Sequence, residues 1–210
     1  ATFEIPQPVA WDNLAYAKSL DKLSKNAGVI IYGSLGSRNA VSRGSIRKAL
    51  NNKALKIIDV NLRPPYTKPA VVNELLSLAD AAKLNDNELV TIAGWHGVNE
   101  NNMKLLMHWL KDAFNLKMVI VTRGDKGAMA IKNGDFYDHP GFSIKVKDTV
   151  GAGDAFLAGF VSSLIDNQTP AETLSFACAT GAYVASQPGA TPSYIKEYVI
   201  TIMESLKNTK

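Results

Sequence analysis

Short apolar runs alternate with amphipathic stretches through the middle of this chain. Residues 29–35 (VIIYGSL) read as a buried strand that runs into glycine and serine. Ser42 is placed to cap a helix that continues through Leu50. Residues 56–61 (KIIDVN) form the next strand, closed by Pro64 and Pro65, and residues 71–78 read as a helix. A short strand at 82–85 leads into a helix that begins at 88–92. Residues 100–114 predict a strong helix with Met103, Leu106, Met107 and Leu110 on one face, and MVIVT at 118–122 predicts a strand ending at Arg123-Gly124. The alternation of strand and helix, with turn residues at the strand ends, predicts βαβ units on a mostly parallel sheet, an α/β fold.

Turn-rich segments follow at 128–132, 135–137 and 142–147, the first two joined by Lys132-Asn133-Gly134-Asp135, a hairpin signal. The last third reads as helices at 152–165, 170–186 and 193–206. Residues before about 29 are the least regular and read as a linker and one helix beginning before Leu14.

Composition narrows the class. Of 210 residues, 46% are hydrophobic and 20% charged, too apolar for a disordered chain. A compact chain of this length buries roughly 70% of the surface its unfolded form exposes. Cys178 is the one cysteine, so no intrachain disulfide forms, which fits a reducing compartment and a cytoplasmic location. His96, His108 and His139 lie far apart and near no cysteine pair, so the spacing gives no structural zinc site. No apolar run approaches the ~18 residues of a membrane span, and the first residues lack a signal-peptide pattern. The net charge of +4 is dispersed, which argues against a nucleic-acid surface and accommodates an anionic small molecule.

The chemistry concentrates in Asp148-Thr149-Val150-Gly151-Ala152-Gly153-Asp154-Ala155-Phe156. A strand-like segment runs into two glycines and then a helix, whose first N–H groups favour an anion. Asp154 sits in the first helical turn, where a carboxylate could take a proton from a substrate hydroxyl while amides hold a phosphoryl group. It could equally do no more than complement the helix dipole, and the residues alone leave both readings open. Phe156 at the third-glycine position argues against a dinucleotide fingerprint, and no G-x-x-x-x-G-K-[ST] P-loop occurs. Glu88 by itself reads as a first-turn helix carboxylate, Thr122-Arg123-Gly124-Asp125 as a turn, Asp59 and Arg63 as an ion pair at a sheet edge, and Cys178 as a small apolar helix residue. Trp11, Trp95 and Trp109 need only packing roles.

Taken together, these segments resemble the ribokinase-like (phosphofructokinase B type) sugar kinases. The 148–156 stretch is similar to that family's C-terminal signature. Asp59-Val60-Asn61-Leu62-Arg63 resembles its D-x-N-x-R strand end, and Lys83-Leu84-Asn85-Asp86-Asn87-Glu88 its N-x-x-E motif. Val121-Thr122-Arg123-Gly124-Asp125-Lys126-Gly127 resembles its T-x-G-x-x-G nucleotide loop, and residues 185–193 its adenine and monovalent-cation segment. Pro8-Val9-Ala10-Trp11-Asp12 and residues 29–38 look most like the fructokinase branch.

The resemblance implies a three-layer α/β/α fold with a mostly parallel sheet and ATP-dependent phosphorylation of a sugar hydroxyl, most like that of fructose. Other substrates within the family are ribose, ketodeoxygluconate or a nucleoside, and a nucleotide-binding fragment without turnover is the contrasting expectation. Asp154 is then the general base, and Gly151, Ala152 and Gly153 the anion hole. Asn85 and Glu88 lie near the ATP phosphates, Glu88 organising Mg²⁺ through water. Thr122, Gly124 and Gly127 line the nucleotide, and Cys178 falls on the helix flanking the adenine. Asp148, Val150, Val184, Gln187, Gly189 and Ser193 correspond to a potassium site. Family members are longer. Their N-terminal third, with a sugar-binding segment and a β-sheet lid that often forms a homodimer contact, has no counterpart here. Residues 1–210 are therefore expected to be a single incomplete domain that begins at a processing site or a break.

Overall fold

A computed structural model describes residues 5–205. The first four residues, at the segment read as lacking a signal peptide, and Leu206, the last residue of the predicted final helix, lie outside the described residues. Six strands hydrogen-bond in the sequential order β1 to β6. The chain divides by its contacts into two compact units, Ala1–Val119 and Ile120–Lys210.

In the first unit, α1 (Lys18–Asn26) precedes β1 (Val29–Gly33), α2 (Ala40–Ala49), β2 (Leu55–Asp59), α3 (Pro69–Ser77), β3 (Ala81–Asn85), α4 (Asp86–Trp95) and α5 (Met103–Ala113). β1 pairs with β2 and β2 with β3, both in parallel, as βαβ crossovers require. Ile57 and Ile58 of β2, Leu84 of β3, Leu75 and Leu76 of α3, Leu89 and Ile92 of α4 and Leu106, Met107 and Leu110 of α5 are fully buried. The apolar face read for the last helix is thus its packed face. Pro69 opens α3 at a position where its missing N–H costs nothing.

β4 (Met118–Thr122) begins at the end of the first unit, and the second unit continues with β5 (Ala128–Lys132) and β6 (Asp135–His139), then α6 (Ala152–Ile165), α7 (Pro170–Ala185) and α8 (Lys196–Ser205). β5 and β6 pair antiparallel through Asn133 and Gly134, both left-handed, as the hairpin signal predicts. α6 and α7 approach closely because two glycines face the partner helix. A Cβ on Gly159 would sit 2.6 Å from Thr180 Oγ1, and one on Gly181 3.0 Å from the Ala152 carbonyl oxygen. A capping box of Thr169 and Glu172 starts α7.

Several sequence expectations shift. The N-terminal helix begins at Lys18 rather than before Leu14, because residues 10–13 form a 3₁₀ turn and the Leu14 N–H donates to Ser42 Oγ at 2.9 Å. That bond also takes Ser42 out of the capping role. It is buried and donates to the Trp11 carbonyl, while Asn39 caps α2 by accepting from Val41 N. α5 starts at Met103 because Asn102 accepts from the N–H groups of Lys104 and Leu105. α8 starts at Lys196, not 193. The strand-like approach to Gly151 is no strand; residues 140–149 have no regular structure.

One ion pair pins the 3₁₀ turn. Arg38 Nε and Nη2 donate to the two carboxylate oxygens of Asp12, each at 2.7 Å, and both side chains are almost wholly buried. The guanidinium lies over the Tyr66 ring, 4.3 Å from its centroid, and its pairing holds the Asp12 carboxyl below the usual range. Asp12→Ala leaves a buried guanidinium charge uncompensated. It should lower the urea midpoint well beyond the effect of Lys25→Ala, which removes the exposed Lys25–Asp21 pair; equal shifts in the two variants would refute this ranking.

Candidate functional site

In the first unit the candidate residues gather where β2 and β3 end. Asn85 is both the last residue of β3 and the N-cap of α4. Its side chain accepts from Glu88 N at 2.8 Å, and Glu88 Oε2 accepts from Asn85 N at 2.9 Å. The N-x-x-E spacing is therefore a capping box, two helix-end donors satisfied reciprocally. Glu88 Oε1 reaches further and accepts from the Leu62 N–H at 2.7 Å. The carboxylate is buried, and that burial raises its pKa, against the amide bonds and the Lys83 charge that lower it.

The expected Asp59–Arg63 pair is not formed. Arg63 is exposed and donates to the Leu62 carbonyl, while Asp59 pairs with Lys83 Nζ at 3.0 and 3.2 Å. The parallel register explains this, since it seats Asp59 directly beside Lys83. β2 also lies between β1 and β3, so the pair is not at a sheet edge. Lys83 stands at the head of the segment that carries the N-x-x-E motif, but a lone lysine in a short apolar run has no spacing signal that assigns it a partner.

In the second unit, Thr122 ends β4, and Gly124 and Gly127 bound a 3₁₀ turn. Gly127 is left-handed, and a Cβ there would meet the His139 carbonyl oxygen at 2.1 Å and Gly141 N at 2.2 Å. Arg123 in the same loop pairs with Asp138 and donates to the His139 carbonyl. Cys178 is buried on α7, which packs against β5 and β6. Burial pushes its thiol up to about 12, partly offset by the Arg123 charge.

α6 begins at Gly151, left-handed at φ 79° with no side-chain cap. A Cβ at 151 would sit 2.2 Å from the Ala190 carbonyl oxygen, so only glycine fits. The Ala152 N–H turns back to the Thr149 carbonyl at 3.3 Å, while among the described residues no side chain caps the Gly153 and Asp154 N–H groups. Asp154 is the third helical residue and is exposed. The proposed cation residues cluster in part. Asp148 N donates to the Ala185 carbonyl beside Val184, Asp148 Oδ1 accepts from Val150 N at 2.9 Å, and Gln187 N donates to the Val184 carbonyl. Gly189 is left-handed next to Ala190, and Ser193 is exposed beyond it.

Residues 9–197 match the model of the pfkB family of carbohydrate kinases, and the chain belongs to that family. It is 30% identical over 187 residues to fructokinase-2 of Solanum lycopersicum, covering 81% of this chain and 56% of that protein. A double-mutant fructokinase from Vibrio cholerae O395, solved with fructose, ADP and a potassium ion, superimposes with a TM-score of 0.75. It is 24% identical, over 86% of this chain and 61% of that one. A ribokinase from Thermotoga maritima superimposes with a TM-score of 0.71 at 20% identity, over 88% of this chain and 59% of that one. The fold is thus the ribokinase-like α/β/α type, and the chain spans well under two thirds of each of these proteins.

Two outcomes follow from the second unit. Gly127→Ala should cost more than about 1 kcal/mol, because backbone must move to admit the methyl group. Gly124→Ala has open space and meets only its left-handed φ, so thermal melts of the two variants should rank in that order. At pH 8 the Cys178 thiol stays protonated, so the folded chain should react with iodoacetamide far more slowly than the urea-unfolded chain; equal rates would contradict its burial.

Proposed function

We propose that the chain is the nucleotide-binding and catalytic portion of an ATP-dependent sugar kinase, with fructose as the substrate, and that residues 1–210 form part of one such domain. The observation that carries this reading is the start of α6, where a left-handed glycine leaves N–H groups uncapped and an exposed aspartate stands one turn in. Family membership and the fructokinase relative support the choice of reaction and sugar.

Asp154 takes the proton from the attacking sugar hydroxyl, and the amides of Gly151, Ala152 and Gly153 stabilise charge on the transferring phosphoryl group. Asn85, Thr122, Gly124 and Gly127, with Cys178 on the flanking helix, bind ATP. Mg²⁺ neutralises phosphate charge when bound. Among the described residues no three His, Cys, Asp or Glu side chains gather to hold a metal directly. Each oxygen of Glu88 gives one lone pair to an amide and keeps another, which fits a metal held through water. Asp148 and the backbone oxygens around Val150, Val184, Gln187 and Gly189, with Ser193, supply the oxygen ligands a potassium ion takes, the ion present in the fructokinase from Vibrio cholerae. Sugar and ATP are the partners, with no nucleic acid or membrane, and a homodimer forms in the full-length protein. No helix among the described residues is long and apolar enough to cross a membrane, and the lone cysteine fits a cytoplasmic enzyme.

The test is ADP release by the full-length gene product, with fructose, ribose, ketodeoxygluconate and adenosine in parallel. Fructose should give the fastest release, and Asp154→Asn should lower it by roughly 10²–10⁴-fold without unfolding the protein. Near-normal turnover in the folded variant removes Asp154 from the base role. ATP binding without release on any substrate favours a nucleotide-binding fragment.

A further inference from the structure

We infer that Lys83 is a positioning residue: paired with Asp59, it fixes the separation of the β2 and β3 ends and thereby the two backbone N–H groups that hold Glu88. The two residues are register partners on adjacent strands, and the ammonium meets both carboxylate oxygens of Asp59. Their side chains are only 9% and 11% exposed, so the pair is largely desolvated.

What lies beyond the pair gives it a purpose. The Val60 N–H donates to the Lys83 carbonyl at 2.9 Å, the last rung between the two strands. The chain then turns through Asn61, left-handed at φ 40°, whose carbonyl accepts from Ser34 Oγ. The next residue, Leu62, donates its N–H to Glu88 Oε1. On the other strand, two residues beyond Lys83, Asn85 donates its N–H to Glu88 Oε2. One carboxylate thus spans the ends of both strands. Its two oxygens have a fixed spacing, so it can accept from both amides at 2.7 and 2.9 Å only while the ends keep one separation. The Asp59–Lys83 pair is the side-chain link that holds that separation immediately before the strands diverge. Neither residue supplies an atom to the Glu88 hydrogen bonds, which is why the role is positional.

The kinetic side of this inference rests on the kinase reading above, and the structural side does not. Lys83→Met alone removes the positive charge beside a buried carboxylate and is expected to destabilise the fold. The decisive variant is therefore Asp59→Asn with Lys83→Met, which removes both charges together. Two readouts apply. Amide hydrogen exchange at Leu62 and Asn85 should be faster than in the wild type, while Ile57 and Ile58 in β2 stay protected. In the full-length protein, the Mg²⁺ concentration for half-maximal ADP release should rise about tenfold, the size of other outer-shell effects, with turnover at saturating Mg²⁺ close to wild type. Lys83→Arg, which keeps the charge, should retain most of both properties. A folded double variant with unchanged exchange at Leu62 and Asn85 overturns the inference. Changed exchange in the double variant, where the wild-type full-length protein itself releases no ADP, upholds it and defeats the kinase reading instead. If the double variant does not fold, Asp59→Asn alone, which leaves the ammonium an acceptor, takes its place with the same readouts.

Discussion

The N–H groups of a helix's first turn have no partners within the helix, and how each helix meets that requirement shapes this molecule. α2, α4, α5 and α7 close their first turns with the side chains of Asn39, Asn85, Asn102 and Thr169. α6 does not; it begins at a glycine pressed against the Ala190 carbonyl and leaves the Gly153 and Asp154 amides open. α1 and α3 also begin without a side-chain cap, and what sets the start of α6 apart is its left-handed glycine, the place where an anion is proposed to bind. At α4 the two uses meet, because the carboxylate that completes the cap also reaches across to the end of β2.

That double use lets a short capping motif tie together the ends of two strands. In an isolated helix, Asn85 and Glu88 would be worth a capping box and no more. Here the strand that delivers Asn85 and the neighbouring strand that delivers Leu62 are tied by parallel pairing and by Asp59 with Lys83. A change at any of these positions is felt by the same carboxylate. The desolvation that raises the Glu88 pKa is the cost of holding a charged group in so defined a place, and the amide bonds offset part of it.

Much of this was legible in the residues. Met118–Thr122, Ala128–Lys132 and Ala152–Ile165 read correctly because apolar runs there stop at Gly, Asn or Asp. Helix starts were less readable. Ser42 looks like a cap, but the distant Trp11 and Leu14 backbone engages it, and Asn39 closes the helix instead. Asp59 found Lys83 rather than Arg63 for a similar reason: register is a property of two strands, whereas sequence proximity is a property of one. The Asp12–Arg38 pair, 26 residues apart, had no local signal at all. The start of α6 was legible because its glycines, its aspartate and its helix lie in one continuous segment.

The packing of α6 on α7 has a consequence for how such chains vary. Gly151, Gly159 and Gly181 are defined by what cannot be there, since each would drive a methyl group into a neighbouring atom. Substitution elsewhere on the two helices can be absorbed by repacking; at these three it must displace a carbonyl, a threonine or a turn of helix. Divergent members of this lineage should therefore keep the vacancies longer than they keep the surrounding side chains, so that the pattern of empty places outlasts the pattern of filled ones.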